Sequence, residues 1–398
     1  MRRGVAFWLV AYALFAVMLG TTLPTPLYPL YEQRYGLSPT LITVVFATYA
    51  VGVIAGLVLL GRASDVVGRR PILIPGVLFS AASAVVFLLE HNAAELYVGR
   101  VLSGLSAGIF TGTATATMLD LAPASRRSFA TGVAVACNLG GLAAGPLLAG
   151  VLAEWAPDPL RLPFAVDLLL LVPAFIGLLV APETVNTEGR HFRLQAQRLR
   201  VPAQMRMVFW QAVIAGFGGF AVSGLFTSVA PNLMGQLIGI SNRAVVGTVV
   251  FLLFAFAAAA QLATRRLPWR TGLVAGCLAL VVSLGLLVLA LALSSFPALL
   301  LAAVTGGVGQ GVTIGSGLAA VNALAPAEQR GEVASTYFVG LYAGLIIPVV
   351  GVGLLVEAIG LRSSGLAFSG IVAALVVAAL LSLVRGSHDQ HGVAEFVP

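Results

Sequence analysis

The sequence has 398 residues, of which 59% are hydrophobic and 9% charged, with a mean hydropathy of +1.01. This composition excludes a soluble globular protein, whose surface needs far more charge. All 22 basic residues behind the net charge of +7 are arginines, because the chain has no lysine. The two cysteines of the chain lie in apolar runs, which argues against a disulfide or a metal site.

Twelve apolar runs are long enough to cross a bilayer as helices, which takes about 20 residues each. Short breaks with Pro, Gly, Asn or charge separate them. The predicted helices cover residues 7–30, 38–60, 71–89, 96–118, 129–153, 163–181, 207–233, 243–263, 271–293, 297–321, 332–356 and 364–384. The first run has no convincing signal-peptide cleavage site, so we predict a retained helix. The expected fold class is an all-α membrane protein with twelve transmembrane helices.

Arginine is distributed unequally between the two sides of the predicted membrane. With the N-terminus inside, 17 of the 22 arginines fall in inner segments and four in outer segments, while Arg100 lies within a span. This bias predicts that both termini are cytoplasmic. It also argues against nucleic-acid binding, because the basic residues occupy short loops and not a folded module with stacking aromatics.

The chain repeats itself at an offset of 203 residues. Leu121–Arg127 matches Leu324–Arg330, and the same offset relates Glu154 to Glu357. Repeated bundles related by an axis along the membrane normal are typical of carriers that rock around a midplane site. We therefore predict two pseudo-symmetric six-helix bundles. The expected divisions are 1–181 for the N-terminal bundle, 182–206 for a cytoplasmic linker with an amphipathic arginine-rich piece, and 207–398 for the C-terminal bundle with a short cytoplasmic tail.

A polar loop of ten residues joins the second and third predicted helices. It contains Gly61, Asp65, Gly68, Arg69 and Arg70 at the spacing of a Gly, an Asp four residues on, and then Gly-Arg-Arg. This loop resembles the signature of the major facilitator superfamily, and the resemblance extends over the whole chain. It implies a twelve-helix transporter with a gating latch at this loop. A basic loop that only fixes topology is the alternative.

The resemblance also suggests partners for the loop. Asp65 is expected to accept hydrogen bonds at the start of the eleventh helix, near Gly331 and Glu332, and the arginines are expected to pair with Asp120. The family usually has a basic residue directly after the Asp, where this chain has Val66, and Arg62 is the alternative basic residue for a charge relay at this loop. The corresponding loop at 261–270 has lost the Asp and the glycines, so any latch is asymmetric.

A charged residue inside a membrane span is costly and usually functional. Arg100 begins an Arg-x-x-x-Gly pattern that resembles the family motif linked to proton coupling, and Asp167 lies at a similar depth in the sixth helix. We therefore expect Arg100 and Asp167 to form the coupling pair. There are two alternatives: Arg161 pairs with Asp167 in place of Arg100, or the Arg100 side chain only extends to the membrane interface.

The fifth predicted helix contains Gly141, Gly145 and Pro146. Two glycines four residues apart allow close helix packing, and the proline bends the helix. The pattern resembles the Gly-x-x-x-Gly-Pro motif of the bacterial drug and metabolite antiporters in the superfamily. An ordinary interface of small residues is the alternative. The resemblance favours proton-coupled efflux over the uptake of sugars or metabolites, which stays the second reading.

In this family, the first, fourth, seventh and tenth helices line the central cavity. The candidate cavity residues lie on these four helices and on the helices beside them. They are Tyr12, Met18, Tyr49, Phe110, Asn138, Phe217, Phe220, Phe226, Gln310, Tyr337 and Tyr342. They are aromatic and weakly polar, and no carboxylate or histidine is expected mid-membrane in the first, seventh or tenth helix. A small neutral or amphiphilic substrate fits this set.

The expected function is thus a secondary active transporter that exports a small molecule against protons by alternating access. No nucleotide-binding loop, cofactor motif, metal-ligand spacing or catalytic constellation appears, so no enzyme is expected. We expect a monomer in the bacterial plasma membrane. A non-transporting receptor or an intramembrane enzyme would need polar clusters at the midplane or a large soluble loop, and the sequence has neither.

Overall fold

The structure, a computed structural model, describes residues 3–61, 63–186 and 199–394, which are largely helical and contain no β-strand. Twelve long helices account for most of this chain. Their bounds are α1 Arg3–Thr22, α2 Pro39–Leu60, α3 Arg69–Leu88, α4 Ala93–Leu121, α5 Arg127–Trp155, α6 Leu162–Val180, α7 Arg206–Ser228, α8 Arg243–Thr264, α9 Trp269–Leu293, α10 Phe296–Leu324, α11 Arg330–Ile359 and α12 Leu361–Ala394. The predicted all-helical fold is confirmed.

Eleven of these helices are long and apolar enough to cross a membrane by length and composition alone. The remaining helix, α4, has 29 residues and carries Glu95, Arg100 and Asp120 among many small and hydroxyl side chains. It packs against α1, α2 and α3, and 15 of its residues are buried. The polarity of α4 therefore belongs to the interior of the bundle.

Prolines shorten two of the predicted helices. The first ends at Thr22, is followed by a 3-10 turn at Thr25–Leu27, and resumes as a short helix at Tyr28–Tyr35. The seventh ends at Ser228 and continues as a short turn of helix at Ala230–Leu233. Prolines lie in or beside both breaks, and a proline has no backbone N–H to continue the hydrogen-bond ladder. The predictions 7–30 and 207–233 were wrong in treating each stretch as one helix.

Two hydrophobic cores form, one for each half of the chain. Each core also receives residues from the other half: Leu139 and Ala143 of α5 join the C-terminal core, while Leu345 and Val349 of α11 join the N-terminal core. Consequently, α5 packs along α8, and α11 packs along α2. These two helix pairs form the main contact between the halves.

The bundle has two ends, named here from the arginine count: the predicted cytoplasmic end, with the 61–70 loop, and the predicted outer end, where α2 and α8 begin. The last helix continues to Ala394, beyond the predicted end at 384. The arginine-rich piece of the linker and Arg62 lie outside the described residues. The division of the chain into an N-terminal bundle ending at 181, a linker and a C-terminal bundle starting at 207 stays a prediction.

Candidate functional site

The 61–70 loop folds against the ends of neighbouring helices. A one-turn helix at Ala63–Val66 leads to Gly68, and α3 then starts at Arg69. The Arg69 guanidinium donates to Asp65 at 2.6 Å and to Asp120 at 3.1 Å. The structure therefore brings together Arg69, Asp65 and Asp120 of the predicted loop cluster.

Glu183, which directly follows α6, holds the start of α3. Its two carboxylate oxygens accept from the backbone N–H groups of Arg69 at 2.9 Å and of Arg70 at 3.0 Å. Burial raises the pKa of Glu183, but hydrogen bonds from the backbone of Arg69, Val185, Arg70 and Thr184 outweigh burial and lower this pKa below its ordinary value. An anion at a helix N-terminus is also favoured by the helix dipole.

Two features explain Gly68. Its φ of +110° is rarely adopted by other residues, and a Cβ there would lie 2.6 Å from Glu183. Sequence reasoning missed this anchoring role of Glu183. The available signal was an acidic residue just after a predicted helix, on the side of the 61–70 loop.

The expected contact between Asp65 and the start of α11 stays a prediction. The Asp65 side chain is 59% exposed and pairs with Arg69. Gly331 is exposed, and a Cβ on it would meet nothing within 4 Å. The α11 start is thus accessible at Gly331 in this conformation.

Arg100 is only 2% exposed within α4. Its Nη1 donates to the carbonyl oxygen of Thr21 at 2.6 Å. The guanidinium carbon lies 4.7 Å from the ring centre of Tyr49 and 5.5 Å from that of Phe46. A carbonyl and two ring faces thus accommodate the cation, with the side chain held inside the bundle.

Asp167 is also 2% exposed, on α6. A Cβ added to Gly20 would lie 2.8 Å from Asp167 Oδ2, so the carboxyl group packs directly on α1. Among the described residues, Arg100 and Asp167 do not form an ion pair. They instead contact adjacent residues, Thr21 and Gly20, at the last turn of α1. The expected direct pairing is therefore not made in this conformation.

The glycines of the α5 motif pack against α1. A Cβ on Gly141 would lie 2.5 Å from the Phe15 carbonyl oxygen, and one on Gly145 would lie 2.5 Å from Thr22 Oγ1. Because Pro146 has no N–H, it cannot bond the carbonyl four residues earlier, at Leu142. Thr22 Oγ1 donates to that carbonyl at 2.9 Å.

The opposite face of α5 packs on the other half of the chain. A Cβ on Gly247 of α8 would collide with the Pro146 carbonyl oxygen, and one on Gly150 of α5 would collide with that of Arg243. The motif therefore places α5 between α1 and α8. If one half tilts against the other, the packing between α5 and α8 must therefore change.

Three of the candidate cavity residues meet between the halves. Tyr49 of α2 interacts through its hydroxyl group with Tyr342 of α11. The Tyr342 ring packs edge-on against Phe220 of α7, with ring centres 5.2 Å apart. Because Tyr49 also covers Arg100, this aromatic cluster places a buried cation beside the contact between the halves.

The other eight candidates differ in exposure and packing. Phe217 and Asn138 are partly exposed, and Asn138 donates to Thr111 at 3.4 Å. Gln310 is 4% exposed, and its carbonyl oxygen has no partner. The remaining candidates, which pack within one half of the chain, are Tyr12, Met18, Phe110, Phe226 and Tyr337. Their expected position in the cavity stays a prediction, because sequence alone does not give the rotation of an apolar helix.

At the predicted outer end, each half caps a helix of the other. Glu154, near the end of α5, accepts from the backbone N–H of Arg243 at the start of α8 at 2.9 Å. Glu357, near the end of α11, accepts from the backbone N–H of Thr40 at the start of α2 at 3.1 Å. The two bonds are related by the 203-residue offset, and we call them the outer clasps. Sequence reasoning had noted the repeat of these glutamates but gave them no role.

Comparisons with known proteins agree with this architecture. Residues 10–292 match the sequence profile of the Major Facilitator Superfamily. Multidrug resistance protein 2 of Bacillus subtilis is 27% identical over 179 residues, or 45% of this chain and 44% of that protein. The quinolone resistance protein NorA of Staphylococcus aureus is 27% identical over 181 residues, or 45% and 46%. These matches span less than half the length of either relative.

Solved structures share the fold over nearly the whole chain. A peptide transporter POT superposes with a TM-score of 0.77 at 15% identity, covering 97% of this chain and 95% of that chain. A bacterial homologue of the human lysosomal transporter Spinster superposes with a TM-score of 0.70 at 14% identity, covering 96% and 98%. With most of the sequence inside the family profile and all twelve helices in a transporter fold, this chain belongs to the major facilitator superfamily.

Proposed function

We propose that this transporter exports a small neutral or amphiphilic molecule in exchange for protons, by alternating access. The observation that carries the proposal is the pair of buried charged residues, Arg100 and Asp167, at one turn of α1. A buried carboxyl group can gain and lose a proton, whereas an arginine stays charged. The two relatives named for drug resistance support export.

The aromatic cluster supports the proposed substrate class. Tyr49, Tyr342 and Phe220 offer ring faces and hydroxyl groups between the halves, and no acidic side chain is among them. Such a surface suits an apolar or weakly polar molecule. Because helices from both halves contribute, movement of one half against the other would change the site.

Proton exchange would act through α1. Gaining a proton removes the charge of Asp167 beside Gly20, while Arg100 holds the carbonyl of the next residue, Thr21. We infer that the last turn of α1 transmits this change between the two side chains. The plasma membrane location, cytoplasmic termini and monomeric state are parts of the same proposal.

Counterflow in proteoliposomes tests the proposal. With neutral and amphiphilic dyes as probes, a pH gradient should drive accumulation in the wild-type protein. Asp167→Asn should abolish this accumulation and keep counterflow, which needs no net proton movement. The matched control, Asp158→Asn, changes an exposed carboxylate and should behave as wild type. Unchanged gradient-driven transport in Asp167→Asn would contradict the proposed coupling.

A further inference from the structure

Several buried polar atoms without a hydrogen-bond partner lie between the predicted outer end and Arg100. They are the hydroxyl groups of Tyr28 and Tyr31, Oε2 of Glu90 and Nε of Arg100. Tyr28 is 1% exposed and Tyr31 is 0% exposed. An unpartnered buried polar group costs about 1–3 kcal/mol unless water supplies the missing bond. Four of them in one region indicate sites for ordered water.

These groups follow one another from the surface inward. Tyr35 donates to Glu90 Oε1 at 3.3 Å, and the Tyr35 ring stacks on that of Tyr31. Tyr28 lies one helical turn before Tyr31 on the same short helix and packs edge-on against Phe46, with ring centres 6.4 Å apart, and the Phe46 ring in turn lies 5.5 Å from the Arg100 guanidinium. The order along this path is therefore Glu90, Tyr31, Tyr28 and Arg100.

Solvent reaches Arg34, the ion-pair partner of Glu90 at the outer end of the path. The Glu90 side chain is 0% exposed, but it pairs at 3.2 Å with Arg34, whose side chain is 39% exposed. Arg34 and Arg161 both line a surface depression of about 310 Å³. That volume is ample for several water molecules. One ion pair thus separates Glu90 from the solvent.

The charges around Glu90 have opposing effects. Burial raises the pKa of Glu90, and Arg34, Tyr35 and Arg161 lower this pKa without cancelling the effect of burial. His91, just before α4, and Glu95, in the first turn of α4, face each other at 4.0 Å. A buried carboxylate with a raised pKa takes up protons from a mildly acidic solution more readily than an exposed one does.

We propose that Glu90 is the site where external protons enter the transport cycle, and that water held by Tyr31 and Tyr28 connects it to the region of Arg100. The inference rests on the proposed proton exchange. In the uptake step, a hydronium ion transfers one proton to Glu90 Oε2 and becomes water, and Arg34 loses its counter-ion. Each tyrosine hydroxyl both donates and accepts a hydrogen bond, so it can relay a proton without net change.

Arg100 closes the inner end of this path. Its guanidinium group is always protonated and cannot accept the proton. Its positive charge also opposes an excess proton beside it, as arginines do in pores that exclude protons. While Arg100 holds the Thr21 carbonyl, Glu90 can therefore take up a proton from outside, and Arg100 blocks the passage of this proton to the centre.

Radiolytic labelling of the wild-type protein in oxygen-18 water tests the water sites directly. Tyr28 and Tyr31 should be labelled by bound water although they are buried. Tyr337 is the matched control, because it is equally buried but its hydroxyl group donates to the Thr313 carbonyl at 3.4 Å. Labelling of Tyr28 and Tyr31 no greater than that of Tyr337 would overturn the water path.

Proton uptake measured with an internal pH dye in proteoliposomes tests the role of Glu90. Probe-driven proton uptake should fall at least tenfold in Glu90→Gln, with counterflow kept, and should be unchanged in the control Tyr97→Phe, in the α4 helix that follows Glu90. Proton uptake by Glu90→Gln at the same rate as by the wild-type protein would overturn the proposal. If the wild-type protein moves no protons with any probe, the proposed function fails separately. Infrared titration then decides: a carboxyl band that responds to external pH and is absent in Glu90→Gln supports the site, and the lack of such a band refutes it.

Discussion

Replacing Glu154 with Gln removes the negative charge from one outer clasp while keeping the size of the side chain. The carboxylate accepts from the Arg243 backbone at 2.9 Å and lies 3.5 Å from the Arg243 guanidinium. The side chains are 22% and 34% exposed, so solvent weakens the ion pair, and the backbone bond carries most of the effect. A hydrogen bond to a charged group contributes about 1.5–3 kcal/mol, and a neutral amide retains part of it, which leaves a loss of about 1 kcal/mol.

Because this bond joins the two halves, its loss acts on the equilibrium between closed and open states of the outer end. A loss of about 1 kcal/mol corresponds to an approximately fivefold increase in the ratio of open to closed molecules. Spin labels on the exposed residues Gln33 and Ser241 measure this ratio as the fraction of long distances by pulsed electron resonance. Cys137 and Cys277 are first replaced by Ser.

The reciprocal clasp and a local carboxylate supply the controls. Glu357→Gln should shift the ratio in the same direction but less, because Glu357 is exposed, and the two changes should add, because the two bonds join different helix pairs. Glu95→Gln should leave the distances unchanged, since Glu95 bonds to its own helix start. Identical distance distributions for the wild type and the Glu154→Gln, Glu357→Gln double variant would refute the role of the clasps.

Three further predictions concern the 61–70 loop and α5. Glu183→Gln should lower the thermal unfolding midpoint at pH 7, and this difference should disappear as the pH falls through the lowered pKa of Glu183, because a depressed carboxyl pKa stabilises the fold only while the group is ionised. Gly145→Ala should destabilise the fold by about 1–3 kcal/mol through contact with α1, whereas Gly112→Ala, with open space around it, should be neutral in the same denaturation assay. Thr22→Val should cost about 1–3 kcal/mol by leaving the Leu142 carbonyl unpaired, and Thr22→Ser should restore the midpoint; equal midpoints for Val and Ser would contradict this.

The helical fold could be predicted because each helix is marked by its own run of apolar residues. A run of about 20 apolar residues can cross a bilayer only as a helix or in a closed barrel, so the helices could be located from composition. The errors arose at prolines. The prolines around Thr25–Leu27 break a helix that hydropathy alone extends to residue 30.

Individual contacts could be predicted from charge, whereas the side of an apolar helix that faces the cavity could not be predicted from the sequence. Arg69 and Asp120 carry charge at helix ends, and the structure brings them together at 3.1 Å. Phe110 and Phe226 lie on helices with apolar residues on every face, so no periodicity shows which face meets the cavity. Burial of Glu90 also depends on a separate short helix, which hydropathy merged with α1.

The repeat preserves the charged residues at one end of the bundle and not at the other. At the predicted outer end, Glu154 and Glu357 occupy equivalent positions, so losing one clasp leaves the other in place. At the predicted cytoplasmic end, the equivalent of Asp65 is Pro268, which has no charge to offer. A latch at Asp65, which the family resemblance implies, would therefore have no equivalent carboxylate in the other half. Asp65→Asn should therefore shift the balance of states further than a single change at an outer clasp of equal bond strength.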